Sequence, residues 1–317
     1  MDRPARSSVI DLIATRATQD PGRATIVSPD EHAEMTNADV DIRAEAAARV
    51  FSDASLMAGQ RLAVMMASGA RYVTCLFGAW HIGAVVVPID PMLKGPDARD
   101  VLKASRASAL VIDERRLIEL SGLLEECDSL KTVFTVGTAA EDRLMRHFDA
   151  ALSHAMDSIQ AITANRPRST DLAIENYRFH TENLEPVTRT HGGLLRDAEQ
   201  MASELTLTVE DRGVCSIPLG HRDGATALVA AVSAGSRRVI PARFDARRYW
   251  ELVAAQRATW LALVPTQFLD LHFAGPPANG AHKSVRVVMV AGQAVTSKVR
   301  DEFTEKFGVR VVAQEPS

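Results

Sequence analysis

The run Gly83-Ala84-Val85-Val86-Val87-Pro88-Ile89-Asp90-Pro91 decides the fold of this chain. Its apolar stretch is entered by a glycine and closed by prolines. It is far short of the ~20 residues needed to span a bilayer. It also shows no alternation of wet and dry positions, so it reads as a strand buried on both faces, the kind that parallel sheets contain.

Working outward, residues 61–66 read as a strand, 70–82 as a helix and 84–88 as the quoted strand. A helix over 95–106, a strand over 109–112, a helix over 115–127 and a strand over 132–136 follow. Short apolar strands separated by helices of 10–15 residues predict βαβ units, with right-handed crossovers. Upstream, residues 8–18 have helical spacing with Ser7 or Ser8 as cap. Residues 24–27 and 33–36 form a hairpin across Ser28-Pro29-Asp30, and Thr36 caps a helix over 37–52. Residues 141–162 read as helix, and Thr163-Ala164-Asn165-Arg166-Pro167-Arg168-Ser169-Thr170 as a linker.

The second half repeats the alternation. Strands are expected at 171–176, 213–218, 238–240, 260–264, 285–290 and 309–312. Helices are expected at 193–207, 223–234, 246–257, 266–273 and 297–307, with a Gly/Pro-rich loop at 274–283. The predicted class is α/β, two layered parallel βαβ sheets, with a first lobe over 1–170 and a second over 171–317.

Composition narrows the function. The 317 residues are 46% hydrophobic and 24% charged, with a formal net charge of -4, which argues against nucleic acid and anionic membranes as partners. Aromatic residues are only 5%, so the core should be aliphatic. Cys75, Cys127 and Cys215 are far apart and form no C-x-x-C pair, as expected of reduced thiols in a cytoplasmic protein. The first 11 residues lack the apolar region of a signal peptide.

Six segments, in order, resemble the N-terminal domain of adenylate-forming enzymes: acyl-CoA synthetases, firefly-type luciferases and peptide-synthetase adenylation domains. Gly59-Gln60-Arg61-Leu62-Ala63-Val64, Leu76-Phe77-Gly78-Ala79-Trp80 and the quoted run resemble the family's opening. Ile217-Pro218-Leu219-Gly220-His221-Arg222-Asp223-Gly224 resembles its P-L-F-H-x-x-G segment. Arg243-Phe244-Asp245, Val264-Pro265-Thr266 and Val290-Ala291-Gly292-Gln293-Ala294 match further landmarks, and Phe303, Phe307, Gly308 and Val309 match the helix and strand that follow. The resemblance implies a carboxylate attacking the α-phosphate of ATP, with Mg²⁺, and transfer of the acyl group to a thiol such as coenzyme A. It implies an acyl or aryl carboxylate pocket between the lobes near His221, Val264, Pro265, Thr266, Gly292 and Gln293.

Two departures stand against that chemistry. The family's T-S-G-T-T-G-x-P-K-G phosphate loop is replaced by Arg178-Phe179-His180-Thr181-Glu182-Asn183-Leu184-Glu185-Pro186-Val187-Thr188, without Gly or Lys, the stretch between Tyr177 and Thr190-His191 being one residue shorter than the family's. Glu182 and Glu185 put negative charge where a polyphosphate would lie, and each like-charge contact costs about 1–4 kcal/mol. Thr181 and Pro186 remain equivalent, Arg178 and Arg189 are the cations left to grip phosphate, and Ala294 is a weaker nucleotide contact. At the other end, Glu315 is the one candidate for the family's Mg²⁺-holding carboxylate and stands out of register. The C-terminal lid with its catalytic Lys is expected to be absent. The reading is therefore a reduced acyl-CoA-synthetase-like protein, inactive or impaired alone in ATP-dependent acid–thiol ligation. The alternatives are a non-catalytic subunit whose lid-facing surface is covered by a protein partner or a second copy, and a different reaction on the same fold.

Other clusters read more plainly. His221 beside Asp223 is either an oriented general base or a pocket wall. His147 and His154 fall on one predicted helix face without a third metal ligand. His180 and His191 flank the altered loop. Arg222, Arg237, Arg238, Arg243, Arg247 and Arg248 read as a solvated basic face or an anion site.

Overall fold

The structure, a computed structural model, describes residues 8–137, 145–157, 166–179, 183–292 and 295–313. Ser8 caps α1 (Val9–Gln19) in a capping box: the Asp11 amide donates to Ser8 Oγ at 3.3 Å and the Ser8 amide to Asp11 Oδ2 at 3.1 Å. Then come β1 (Ala24–Ser28), a 3₁₀ turn (Pro29–Glu31), β2 (Ala33–Thr36) and α2 (Asn37–Asp53). The βαβ series is β3 (Arg61–Met65), α3 (Ala70–His81), β4 (Val85–Pro88), α4 (Gly95–Ser105), β5 (Ala109–Asp113), α5 (Glu114–Leu124) and β6 (Thr132–Val136). Next are β7 (Met145–His147), α6 (Phe148–Asp157), β8 (Leu172–Phe179), β9 (Leu184–Thr190) and α7 (His191–Glu204). The chain continues through β10 (Arg212–Cys215), α8 (Arg222–Ala234), β11 (Arg237–Val239), α9 (Ala246–Gln256), β12 (Trp260–Leu263) and α10 (Pro265–Ala274). A 3₁₀ turn (Ala281–Ser284), β13 (Val287–Val290), α11 (Ser297–Phe307) and β14 (Arg310–Ala313) complete it.

Among the described residues the strands form two seven-stranded sheets, one in each of two compact units. The first unit comprises Met1–Pro21, Asn37–Ala67 and Arg71–Arg196. Its sheet runs β7-β6-β5-β3-β4-β8-β9, parallel except for the β8–β9 pair. Its core joins Ala63, Met65, Val87 and Ile112 to Val101 and Leu102 of α4 and Leu117 and Leu120 of α5. The second unit comprises Gly22–Thr36, Ser68–Ala70 and Asp197–Ser317. Its sheet runs β14-β13-β12-β10-β11-β1-β2, parallel except for β1–β2. One face of it packs Val214, Val239, Leu261 and Leu263 against Phe268 and Phe303.

The α/β class holds, with an antiparallel hairpin finishing one edge of each parallel sheet. The division between units does not fall at residue 170. β1 crosses into the second unit because it pairs in parallel with β11, Ile26 opposite Arg238. The β8–β9 hairpin stays in the first because β8 pairs with β4, Val86 opposite Ile174. The helix expected over 141–162 is instead strand β7 followed by α6, while residues 138–144 and 158–165 lie outside the described set. His147 is thus on a strand that pairs with β6 and His154 on a helix, so they share no helix face. Cys75, Cys127 and Cys215 are buried thiols. No helix among the described residues is long and apolar enough to cross a membrane.

Candidate functional site

In the first unit the segment read as an altered phosphate loop is a regular two-stranded ladder. The antiparallel register runs Leu172 opposite Thr190, then Ile174 opposite Arg189 through Tyr177 opposite Pro186, Arg178 opposite Glu185 and Phe179 opposite Leu184. Only residues 180–183 lie between the strands. The sequence favours this. Tyr177, Phe179, Val187, Thr188 and Thr190 are aromatic or β-branched, and no glycine interrupts them. Pro186 is tolerated because β9 is an edge strand.

The ladder has a buried polar anchor. Arg61 Nη2 donates to Glu175 Oε2 at 2.9 Å, and the Tyr177 hydroxyl donates to Glu175 Oε1 at 2.7 Å. Glu175 is buried, so both carboxylate oxygens are satisfied by partners within the unit. Burial first, then the hydrogen bond to Glu175, raises the Tyr177 pKa. Arg178 faces Glu185 across the strands and Arg189 faces Ile174. Both expected phosphate cations therefore sit on strand positions, not in a concave loop.

In the second unit β10, β12 and β13 run in parallel, Cys215 opposite Ala262 and Leu263 opposite Val290. Their carboxyl ends emerge at one edge, where α/β sheets carry their sites. Gln267 binds the strand ends together. Its Oε1 accepts from the Val264 amide at 3.2 Å and from Ser216 Oγ at 3.1 Å, and its Nε2 donates to the Ser216 carbonyl at 3.3 Å. Pro265 opens α10 with its φ preset and no N–H to satisfy. After β13, Gly292 takes φ +70°, a left-handed turn that a side chain would strain.

His221 caps α8. Its Nδ1 accepts from the Asp223 amide at 3.2 Å, which places the ring proton on Nε2. Burial lowers its pKa, opposed by the Asp223 carboxylate 3.8 Å away, so the imidazole is neutral near pH 7. Gly224 fixes the position of this helix start. A Cβ there would lie 1.9 Å from the Pro218 carbonyl oxygen, so only glycine lets α8 approach the 217–218 backbone. The Leu219 amide, held by Ser68 Oγ at 2.8 Å, pins the same loop.

Val264, Pro265 and Thr266 thus follow the carboxyl end of β12, Gly292 that of β13, and His221 the loop after β10. His180, Thr181, Glu182, Gln293, Ala294 and Glu315 lie outside the described residues. His191 begins α7 fully buried, against the edge of the Trp80 ring at 5.7 Å, and is no solvent-facing base. No group of three or more His, Cys, Asp or Glu among the described residues could hold a metal ion. Sequence reading missed Ser216 and Gln267, although Gln267, three residues after Val264, occupies the reach-back position of a capping box.

A model of the AMP-binding enzyme family matches residues 13–314. Over 304 residues the chain is 26% identical to a sulfoacetate–CoA ligase of Cupriavidus necator, covering 95% of this chain and 58% of the relative. Over 277 residues it is 26% identical to a crotonobetaine/carnitine–CoA ligase of Escherichia coli, covering 84% of this chain and 52% of the relative. The chain therefore spans little more than half the length of these relatives. A Brucella canis acyl-CoA synthetase structure superposes with a TM-score of 0.86 at 19% identity, over 100% of this chain and 58% of that one, a likeness of fold.

Proposed function

The chain belongs to the AMP-binding enzyme family, and on that premise we propose that it is an acyl-CoA-ligase-like segment that keeps a carboxylate-side pocket wall but does not hold a triphosphate on its β8–β9 hairpin. The observation that carries this reading is the unbroken register from Tyr177–Pro186 to Phe179–Leu184. A phosphate-binding nest needs successive backbone N–H groups converging on one concavity. Along a strand, successive N–H groups point to opposite sides, so alternate amides are taken by the partner strand and the rest lie in a line. Glu185 adds negative charge on the exposed side.

On this reading the segment alone does not make acyl-adenylates. The second unit offers an acyl or aryl carboxylate a wall of Val264, Pro265, Thr266 and Gly292. A hydrogen-bond donor stands at its edge, the Nε2–H of neutral His221, a role as a ligand contact rather than a general base. The reading leaves any catalytic completion to a separate polypeptide, or to the length of the relatives that this chain does not span.

ATP–pyrophosphate exchange with a panel of small carboxylates tests the proposal. The expected rate for this chain is background, with and without sulfonated, quaternary-ammonium and aromatic acids. Exchange that saturates with ATP and depends on the carboxylate would overturn it. A second chain in which residues 178–188 are replaced by a Gly- and Lys-containing phosphate loop is expected to gain nucleotide binding.

A further inference from the structure

Arg238 and Trp260 lie in one row across the second unit's sheet. β11 sits between β1 and β10, with Arg238 opposite both Ile26 and Gly213. Gly213 is in turn opposite Trp260 on β12. Cross-strand partners share a face, so Arg238, Gly213 and Trp260 present side chains, or the lack of one, to the same side. Gly213 leaves its place to the indole: a Cβ there would lie 2.3 Å from Trp260 Cε2 and 2.7 Å from Nε1. The Trp260 indole therefore lies over Gly213, in the strand position between Trp260 and Arg238.

Both side chains are wholly buried, at 0% exposure. Arg238 Nη1 donates to the Gly224 carbonyl at 3.0 Å. Arg238 Nε and Nη2 and Trp260 Nε1 meet no acceptor among the described residues. All three are donors that cannot accept, and a guanidinium does not shed its proton in a protein. The first turn of α8, which holds Gly224, adds the positive end of a helix dipole. Among the described residues no carboxylate offsets this charge. Asp223 turns its carboxylate to His221 and Arg222, at 3.8 and 3.9 Å. Cys215, two residues along from Gly213, is the titratable group whose charge bears on Arg238, but burial pushes its thiol up to about 11, so it is neutral. A buried charge without a counter-charge is among the costliest arrangements in a fold.

We propose that Arg238 and Trp260 form a buried receptor for one small monovalent anion of the halide class, with chloride as its occupant. Full enclosure favours a monatomic ion, and guanidinium and indole N–H groups are weakly hydrated donors suited to one.

Crystals of the whole chain grown with sodium bromide in place of chloride test it directly. The expected result is an anomalous peak within hydrogen-bond distance of Arg238 Nη2 and Trp260 Nε1. Ordered water there, a protein acceptor meeting those donors, or bromide only elsewhere overturns the proposal. Independently, the melting midpoint is followed while sodium chloride replaces sodium gluconate at constant ionic strength. The wild type is expected to rise saturably by about 2 °C at tenfold excess over the dissociation constant, and Arg238→Met to stay level. A wild-type midpoint indifferent to that exchange also overturns it.

Discussion

Lowering the pH from 8 to 5 should destabilise this protein through His191, and His191→Leu should remove that part of the loss. His191 is wholly buried, neither ring nitrogen has a partner among the described residues, and the Trp80 ring lies against it. Burial, opposed weakly by Asp171 and Asp11, pushes its pKa down from 6.5 to about 4. The unfolded chain takes up a proton near pH 6.5, the folded chain only near pH 4. Stability is therefore whole above pH 6.5 and falls with pH, because the unfolded state binds more protons across that window. At 1.36 kcal/mol per pKa unit, the loss is about 2 kcal/mol at pH 5 and about 3 kcal/mol once pH passes below 4. For a chain of this size, 2 kcal/mol corresponds to a fall of roughly 3 °C in the melting midpoint. The leucine variant loses the titrating group and two orphaned nitrogens, so at pH 8 it should be about as stable as the wild type or slightly more so. The assay is thermal unfolding by circular dichroism for both proteins at each half unit of pH. The quantity read is the difference between the two midpoints, which cancels other titrating groups. A difference that stays constant from pH 8 to pH 5 would refute the reasoning, since it would mean that His191 is paired or solvated in the fold.

Other perturbations have equally definite outcomes. Glu175→Gln weakens the hold on Arg61 and Tyr177 at 2.9 and 2.7 Å, costs about 1–3 kcal/mol, and should speed amide exchange in β8 and β9 while leaving β5 and β6 protected. Gly224→Ala forces a Cβ to within 1.9 Å of the Pro218 carbonyl oxygen and should cost at least the 1–3 kcal/mol typical of overpacking, read as a lower urea midpoint. His221→Ala removes the α8 cap and about 1 kcal/mol, whereas His221→Asn, which can still cap, should restore most of that stability; equal losses would argue against capping as its role.

Much of this was legible in the sequence, and the misses have physical causes. The valine run at 85–87 and its regular spacing from neighbouring helices identified the parallel sheets. The Ser28-Pro29-Asp30 turn identified the hairpin that finishes one of them. The second hairpin was missed because a resemblance to a glycine-rich loop outweighed the residues present. Without glycine, Tyr177, Phe179, Val187 and Thr188 prefer the pleated conformation, and the flanking strands extend into the loop. Arg238 was read with five other arginines as part of a solvated face or an anion site, not as a wholly buried residue. Its neighbours Val239 and Ile240 were the available signal, since a strand between two others buries its central and following residues while Arg237 at its start stays half-buried. Within the helix expected over 141–162, residues 148–157 are helical but 145–147 form a strand, because periodicity alone does not separate a short edge strand from a helical turn. His221, Val264 and Gly292 were expected at the carboxyl edge from segment resemblance, but the Gln267 clamp that positions Val264 is a tertiary contact with Ser216, 51 residues away.

The central claim is that strand pairing has consumed the place where a triphosphate would bind. Titrating Mg-ATP into isotope-labelled protein while following backbone amide resonances tests it most directly. The account predicts that amides of residues 177–179, 184, 185 and 187 do not move with nucleotide at up to about 1 mM, equivalent to less than about 4 kcal/mol of binding free energy. Saturable shifts of those amides at micromolar nucleotide would contradict it.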